Sequence, residues 1–283
     1  MAATSRPSKR SGKNAERTHF RTIWISDVHL GTTGCKAEHL VDFLKHHTCD
    51  KLYLVGDIVD GWKLKSGWYW PQEHTNVVRK ILTKAKRETQ VIYVTGNHDE
   101  FLRKFVDYRL EIGNIRLVNE DVHETADGRR LLVMHGDLFD VITRYHKWIA
   151  MAGDALYEGT MHFNYWFNRA RSILGMRYWS LSAFAKQHVK TAVNIVSTFE
   201  DSLARECRRR ELDGVVCGHI HHAEARQIED VTYYNCGDWV ESCTALAEDM
   251  NGRIQILRWV ELDHLNQTGR DKVTPLRRAD KVA

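Results

Sequence analysis

The strongest constraint on this chain is a repeated pattern in which a short apolar segment ends and polar residues follow at once. Five segments rich in β-branched and aromatic residues carry an Asp, Asn or His one to three positions after they end. The first polar residues of these motifs are Asp27, Asp57, Asn97, His135 and His219. Because ligands bind at the carboxyl edge of the strands in α/β sheets, we expect the five motifs to meet in one site.

The order of strands and helices predicts an α/β fold. Two stretches with helical periodicity, at 37–46 and 75–86, separate the early strands, which is typical of a sheet covered by helices on both faces. The later strands favour a second, more antiparallel sheet. The seven predicted strands lie at 22–25, 51–55, 91–95, 131–134, 214–217, 231–235 and 254–259.

The distribution of charge and periodicity predicts the domain organisation. Residues 1–19 contain five basic residues and one acid, and this excess equals the formal charge of +4 for the whole chain. We expect a basic flexible leader at 1–19, one domain at 20–266 and a polar tail at 267–283. From about 140 to 205 the pattern is helical and rich in aromatic residues, so we expect a helical insertion that caps the site.

Composition excludes several classes of protein. Outside the leader the chain is nearly neutral. This disfavours nucleic-acid binding, because a protein that binds nucleic acid needs a basic surface on its folded domain. The six cysteines form no CxxC pair, so we expect them to be reduced and mostly buried. No signal peptide or long apolar run is present, which predicts a cytoplasmic protein; peripheral contact of the leader with the membrane is the alternative.

The five motifs offer the donors of a divalent metal centre. Nitrogen and oxygen donors without thiolate suit Mn, Fe, Co or Zn, and we expect Mn. The donors are too many for one ion that keeps an open position, so two ions are predicted. Paired ions lower the pKa of a bridging water, and the hydroxide then attacks phosphorus. The expected ligands are Asp27, His29, Asp57, Asn97, His135, His219 and His221.

The series Asp-x-His, Gly-Asp-x-x-Asp, Gly-Asn-His-Asp, His-Gly-Asp and Gly-His-x-His, from Asp27 to His221, resembles the calcineurin-like metallophosphoesterases. The resemblance implies a two-sheet β-sandwich flanked by helices, with phosphoester hydrolysis as the activity. It implies that His98, supported by Asp99, stabilises the phosphoryl group or protonates the leaving oxygen. It also implies two ligand sets that share Asp57, namely Asp27, His29, Asp57 and His221 for one ion and Asp57, Asn97, His135 and His219 for the other.

Within that superfamily the chain is most similar to the UDP-2,3-diacylglucosamine diphosphatase group of lipid A biosynthesis. Shared features are Trp62 after the second motif, Asp140 and Tyr145 after the fourth, and Gly237-Asp238-Trp239 after the last. The aromatic insertion lies where that group has a helical lid. The chain departs from the group at His98, where the diphosphatases carry Arg. Substrate binding is expected at Trp62, Arg169, Arg171 and Arg177.

Three functions remain open from the sequence. The first is hydrolysis of a phosphodiester or diphosphate, with a nucleotide-linked lipid as the partner. His98 favours the second, a phosphodiesterase or monoesterase for small nucleotides, whose bases would stack on the aromatic segment. The third is a non-catalytic scaffold of the same fold, although every motif residue is present. The oligomeric state does not follow from the sequence.

Overall fold

A computed structural model of the chain describes residues 17–139 and 198–259. Most of the leader, nearly all of the helical insertion and the C-terminal tail lie outside these residues. The same holds for Arg169, Arg171 and Arg177, so their expected contact with substrate stays a prediction.

Strands and helices alternate in the first part of the chain, as the hydrophobic periodicity predicts. The described strands are β1 (Thr18–Ile25), β2 (His47–Val55), β3 (Gln90–Val94), β4 (Glu111–Ile112), β5 (Ile115–Val118), β6 (Glu120–Glu124), β7 (Arg130–Met134), β8 (Gly214–Cys217), β9 (Glu224–Ile228), β10 (Val231–Asn235), β11 (Thr244–Glu248) and β12 (Ile254–Arg258). The described helices are α1 (Ala37–His46), α2 (Gly61–Ser66), α3 (Gln72–Lys86) and α4, which is described over 198–209; short 3₁₀ helices cover Glu100–Phe105 and Asp137–Phe139.

The first sheet has seven strands in the order β12-β11-β1-β2-β3-β5-β4. Its centre, from β1 to β5, is parallel, and β11, β12 and β4 are antiparallel additions at the two edges. Successive strand residues point to opposite faces. Ile23 and Ile25 therefore pack with Leu40 and Phe43 of α1 and Val77 of α3.

The second sheet has five strands in the order β6-β7-β8-β10-β9. Trp24 and Tyr53 of the first sheet pack with Val133 and Val216 of the second, which forms the core between the sheets. The other face of the second sheet packs against Leu203 and its neighbours on α4. The result is a four-layer sandwich of helix, sheet, sheet and helix, which confirms the predicted fold class.

The later strands differ from the sequence expectation in two respects. Strands β7, β8 and β10 are parallel to one another, so the second sheet is mixed rather than mainly antiparallel. Strand β12 pairs with β11 in the first sheet instead of joining the second. The seven predicted strands are all present, but β4, β5, β6, β9 and β11 were not predicted. Strand propensity is a local property, whereas pairing depends on contacts between distant segments, so the pattern identified neither these strands nor the pairing of the others.

The cysteines and the lengths of the helices can be compared with the sequence predictions. All six cysteines are free, five of them buried and Cys35 partly buried, as the composition predicts. Within residues 17–139 and 198–259, no helix has the length and apolar character needed to cross a bilayer.

Candidate metal centre

The first two motifs lie side by side at the carboxyl ends of β1 and β2. The backbone N–H groups of Val28 and His29 both donate to the carbonyl of Asp57, at 3.0 and 2.9 Å, and that of Asp27 donates to Gly56 at 3.2 Å. Because β1 and β2 are parallel, both loops leave the sheet at the same edge. The sheet therefore brings together residues that the sequence separates.

The backbone of this edge adopts a conformation that most residues avoid. Ten non-glycine residues in the described part of the chain have positive φ, and each such residue costs about 1–3 kcal/mol where the backbone is strained. Half of the ten are residues that the sequence predicts as ligands. They are Asp27, His29, Asp57, His219 and His221.

Two glycines allow the loops to approach one another. Gly56 has a φ of +73°, and a Cβ at this position would overlap the ring of His135. A Cβ at Gly96 would overlap the carboxylate of Asp57. Any larger residue at these two positions would displace a predicted ligand, which explains the glycine beside each motif.

The carboxylate of Asp57 lies at the centre of the site. Its Oδ2 is 3.3 Å from Nε2 of His135, 3.9 Å from Nε2 of His98 and 4.0 Å from Nε2 of His29. Its Oδ1 accepts a hydrogen bond of 2.8 Å from the backbone N–H of His98. One carboxylate oxygen among three ring nitrogens is an arrangement suited to a carboxylate that bridges two cations.

Contacts behind the imidazoles orient them toward Asp57. Nδ1 of His135 donates to the carbonyl of Val55 at 3.0 Å. Nδ1 of His29 and Nδ1 of His98 lie 3.2 and 2.9 Å from Oδ2 of Asp60. A proton on Nδ1 leaves the lone pair on Nε2, so these contacts prepare the three Nε2 atoms to accept a cation or a proton.

Asp27 organises the other side of the site. Its Oδ2 accepts a hydrogen bond of 3.0 Å from the backbone N–H of His219, and its Oδ1 is 3.3 Å from Nε2 of His221. Within the described residues, the buried atoms Oδ1 of Asp27 and Nε2 of His29 have no hydrogen-bond partner. A buried polar atom without a partner is costly, and a cation between these two atoms would satisfy both.

The electrostatics keep the carboxylates ionised. Burial alone would raise the pKa of the Asp57 carboxyl, but the charge and hydrogen bond of His135 lower it well below its usual value. Burial likewise opposes ionisation of Asp27, and the nearby imidazole of His221 lowers the pKa of its carboxyl. Burial would lower the pKa of His135, but Asp57 raises it to about 10. The buried carboxylates are therefore ionised and stabilised by positive charge beside them, a role that a bound cation would fill.

The donors form groups of three that could each hold a metal ion. Ligand atoms of Asp27, His29 and His221 lie within 4.8 Å of one another, and so do those of Asp57, His135 and His219. These two groups contain six of the seven predicted ligands, with nitrogen and oxygen donors and no thiolate. Ligand atoms of His29, Asp60 and His98 form a third such group. Oδ1 of the seventh predicted ligand, Asn97, is 3.2 Å from Nε2 of His135, beside the second group.

The structure corrects the expected partner of His98. The carboxylate of Asp99 is fully buried and accepts hydrogen bonds from the backbone N–H of Ile58 and Gly96 and from the hydroxyl of Tyr93. Asp99 thus joins the loops of the second and third motifs. The carboxylate beside His98 is that of Asp60. Adjacent residues in a turn diverge in direction, so proximity in sequence did not identify the contact.

Trp62 lies at the rim of the site. Its ring is 4.2 Å from that of His98, centroid to centroid, and its Nε1 donates to Glu100 at 3.1 Å. The predicted substrate contact of Trp62 is thus placed next to the predicted proton donor. A substrate at Asp57 would have this indole within reach.

The Gly237-Asp238-Trp239 segment supports the first motif from behind. The backbone N–H of Trp239 donates to the carbonyl of Asp27 at 3.0 Å, and the hydroxyl of Ser26 donates to the carbonyl of Gly237 at 2.9 Å. Oδ1 of Asp238 accepts from the backbone N–H of Val240 at 2.7 Å. This segment holds Asp27 in place without contributing a ligand.

Sequence reasoning missed two supporting residues. Tyr93 resembles an ordinary core residue of β3, yet its hydroxyl fixes Asp99. Asp60 belongs to the second motif, but its contact with His98 was not foreseen. The only available signal was the spacing of Asp57 and Asp60 in the second motif, which does not reveal which histidines lie nearby.

Comparison with known proteins agrees with this geometry. The curated relatives include proteins named UDP-2,3-diacylglucosamine hydrolase. The protein from Stenotrophomonas maltophilia is 26% identical over 248 residues, which cover 82% of this chain and 96% of the relative. Those from Blochmanniella pennsylvanica and Chromohalobacter salexigens are 27% and 29% identical, over 41% and 47% of this chain. The chain spans only about half the length of these last two, 46% and 54%.

Among solved structures, the chain aligns with the phosphoesterase YfcE from E. coli at a TM-score of 0.41 and 14% identity, covering 84% of this chain and 98% of YfcE. It aligns with Vps29 from Entamoeba histolytica at a TM-score of 0.38 and 13% identity, covering 83% of this chain and 89% of Vps29. The family model described as calcineurin-like phosphoesterase matches residues 20–223, which include all five motifs. With its two-sheet sandwich and its Asp and His groups at one edge, this chain belongs to the calcineurin-like phosphoesterases.

Proposed function

We propose that this phosphoesterase uses two divalent cations, Mn²⁺ in the first instance, to hydrolyse the diphosphate of a nucleotide-linked lipid similar to UDP-2,3-diacylglucosamine. The observation that carries the metal-dependent chemistry is the convergence of three Nε2 atoms on Oδ2 of Asp57. The names of the curated relatives support the substrate class.

Each ligand group would hold one cation. Asp27, His29 and His221 would hold the first, and His135, His219 and Asn97 the second, with Asp57 between them. When bound, such a pair of cations supplies Lewis-acid stabilisation of the phosphoryl oxygens and lowers the pKa of a water to provide the nucleophile. The buried carboxylates supply the negative charge that retains the cations.

His98 would act on the substrate rather than on a cation. Its side chain is 21% exposed, in contrast to the enclosed ring of His135, and its Nδ1 faces Asp60. With Nδ1 beside Asp60, Nε2 is the ring atom on the side of Asp57, where it could donate a proton to the leaving oxygen. Such acid catalysis contributes about 10²–10⁴-fold to a rate.

Trp62 supports a substrate with an apolar or base-bearing group. The indole covers one side of His98, where it would contact the part of the substrate next to the phosphate. The helical insertion, with Arg169, Arg171 and Arg177, is proposed to cap the cleft and to contact the phosphates and acyl chains. A peripheral contact of the chain with a membrane, from the cytoplasmic side, would give access to such a lipid.

A second candidate function follows from His98. An imidazole is a better proton donor near neutral pH than an arginine, so His98 favours leaving groups that need protonation, such as the alkoxide of a small-nucleotide phosphodiester or monoester. The open side of the site at His221 would admit a small nucleotide.

One substrate panel tests both candidates. Purified full-length protein is assayed with UDP-2,3-diacylglucosamine, with a cyclic nucleotide, and with aryl phosphodiesters and monoesters, with Mn²⁺ added or chelated. We expect release of UMP from the lipid substrate to have the highest kcat/KM and to require Mn²⁺. Preference for the small nucleotide would reject the lipid proposal, and hydrolysis that survives thorough chelation would reject the metal mechanism.

A further inference from the structure

A basic pocket lies at the edge of the first sheet opposite the metal centre. The pocket has a volume of about 280 Å³ and lies where β1, β2 and β3 begin, next to the ends of α1 and α3. The metal centre follows the other ends of the same strands. Since β2 has nine residues, the two sites are roughly 25–30 Å apart.

The pocket concentrates positive charge. Five cations and two carboxylates line it, a net charge of +3 when His19 is neutral, whereas the formal charge of the whole chain is only +4. One of the two carboxylates, Asp50, lies 3.1 Å from Nε2 of His19. The five cations are Arg17, Lys45, Lys80, Lys84 and Arg87.

Four of these cations form no ion pair in the described part of the chain. No carboxylate there lies within ion-pair distance of Arg17, Lys45, Lys80 or Arg87, while other surface arginines, such as Arg208, form ion pairs. Lys84 is buried, and its ammonium donates to the carbonyl of His47. Burial lowers the pKa of Lys80, and repulsion from Arg17, Lys45 and Arg87 lowers it further. The cations therefore destabilise one another in the absence of an anion.

Helix dipoles do not account for this charge. The ends of α1 and α3 carry together about one negative elementary charge, which attracts a cation in the last turn of each helix. Lys45 and Lys84 match that role. The net charge of the pocket is about three times larger, so a net positive charge of about +2 remains without compensation.

We infer that this pocket binds a phosphate group, independently of the substrate phosphate at the metal centre. A phosphate dianion supplies two negative charges and several acceptor oxygens, and the guanidinium groups of Arg17 and Arg87 match those oxygens with paired donors. The phosphate belongs either to a soluble phosphorylated compound or to the headgroup of an anionic lipid. The sequence just before Arg17 contains four more basic residues, Arg6, Lys9, Arg10 and Lys13, which would favour the lipid.

A matched pair of double variants tests the site. Lys80→Gln with Arg87→Gln removes two pocket cations, whereas Arg79→Gln with Lys86→Gln removes an arginine and a lysine from exposed positions of α3 outside the pocket. Neither pair touches the metal centre, so turnover at that centre should be unchanged in both and shows that the proteins are folded.

Binding of inorganic phosphate to the full-length, metal-loaded protein is measured by calorimetry, and binding to vesicles of phosphatidylcholine, with and without phosphatidylglycerol, by sedimentation. We expect the pocket variant to lose about tenfold or more in affinity for one of these probes, while the control variant binds as the wild type does. Loss of phosphate binding identifies a soluble ligand; loss restricted to phosphatidylglycerol vesicles identifies a lipid headgroup. Equal binding by the pocket variant and the wild type, or an equal loss in the control variant, would overturn the inference.

Discussion

His135 and His221 belong to the two predicted ligand groups, yet the side chain of His135 is fully enclosed whereas that of His221 is 40% exposed. His135 directly follows β7, and its ring is fixed by the carbonyl of Val55 at the end of β2. His221 lies in the loop after β8, and its contact with the site is through Asp27. One group is thus anchored by an enclosed histidine, and the other is completed by a histidine exposed at the surface.

This difference indicates unequal roles for the two groups. A side chain that is already enclosed loses little conformational entropy when it binds a cation. A side chain in an exposed loop loses more, because the cation itself must order it. We therefore expect the group of Asp57, His135 and His219 to hold its ion more tightly than the group of Asp27, His29 and His221. Asp57 lies between the two groups, so its mutation should reduce metal binding and turnover more than mutation of any other residue of the site.

The largest effect is expected for Asp57→Ala. Removal of the carboxylate leaves three imidazoles without their common partner, so both ions should be lost and turnover should fall below detection. Metal content is measured by mass spectrometry, and turnover with an aryl phosphodiester and Mn²⁺. The control is Asp42→Ala, which removes a partly exposed carboxylate of α1 and should change neither quantity. An Asp57→Ala protein that keeps one ion and its turnover would contradict a shared centre.

A smaller but still large effect is expected for His98→Ala. If His98 protonates the leaving group, kcat should fall about 10²–10⁴-fold while both ions remain bound. The comparison variant is Asn97→Ala, which removes a predicted ligand beside His135 and should release metal. Equal loss of metal in the two variants would show that His98 is a ligand, and would extend the ligand groups to include it.

The contrast between the two groups is tested by His135→Ala and His221→Ala. Mutation of a residue that only supports a metal ligand lowers metal affinity about 10–100-fold. Mutation of a ligand itself should lower metal affinity at least as much. We expect Mn²⁺ affinity to fall more than about a hundredfold for His135→Ala and only about tenfold for His221→Ala. Titration of activity with Mn²⁺ measures both, and excess Mn²⁺ should restore His221→Ala alone. Equal rescue of the two variants would show that exposure does not distinguish the groups.

The smallest effect is expected for Asp60→Asn, which keeps the shape of the side chain but removes its charge. Asp60 contacts His29 and His98 together, so its loss should lower turnover about 10–100-fold through the orientation of both rings. The matched control is Glu100→Gln, whose carboxylate contacts Trp62 rather than a histidine ring and should change turnover little. If Asp99→Asn lowered turnover while Asp60→Asn did not, the corrected partner of His98 would be wrong.

Much of the site could be predicted because each predicted ligand is recognisable from the few residues around it. A strand followed by a glycine and an acid, amide or imidazole indicates a ligand whatever the neighbours are, and the structure places all seven predicted ligands at one edge of the sandwich. The substrate residues in the insertion could be proposed only from composition and resemblance. Their contacts depend on packing that the described residues do not include.

The amino-acid sequence by itself determined the types of donor, the ends of the strands that present them and the glycines that leave room for them. These features depend on backbone geometry within a few residues. Only the tertiary structure decided that β11 and β12 complete the first sheet, that Asp60 rather than Asp99 faces His98, and that His221 is exposed while His135 is enclosed. Such choices arise from contacts between segments far apart in the chain, where the best packing of the whole, and not the preference of any segment, has the lowest free energy.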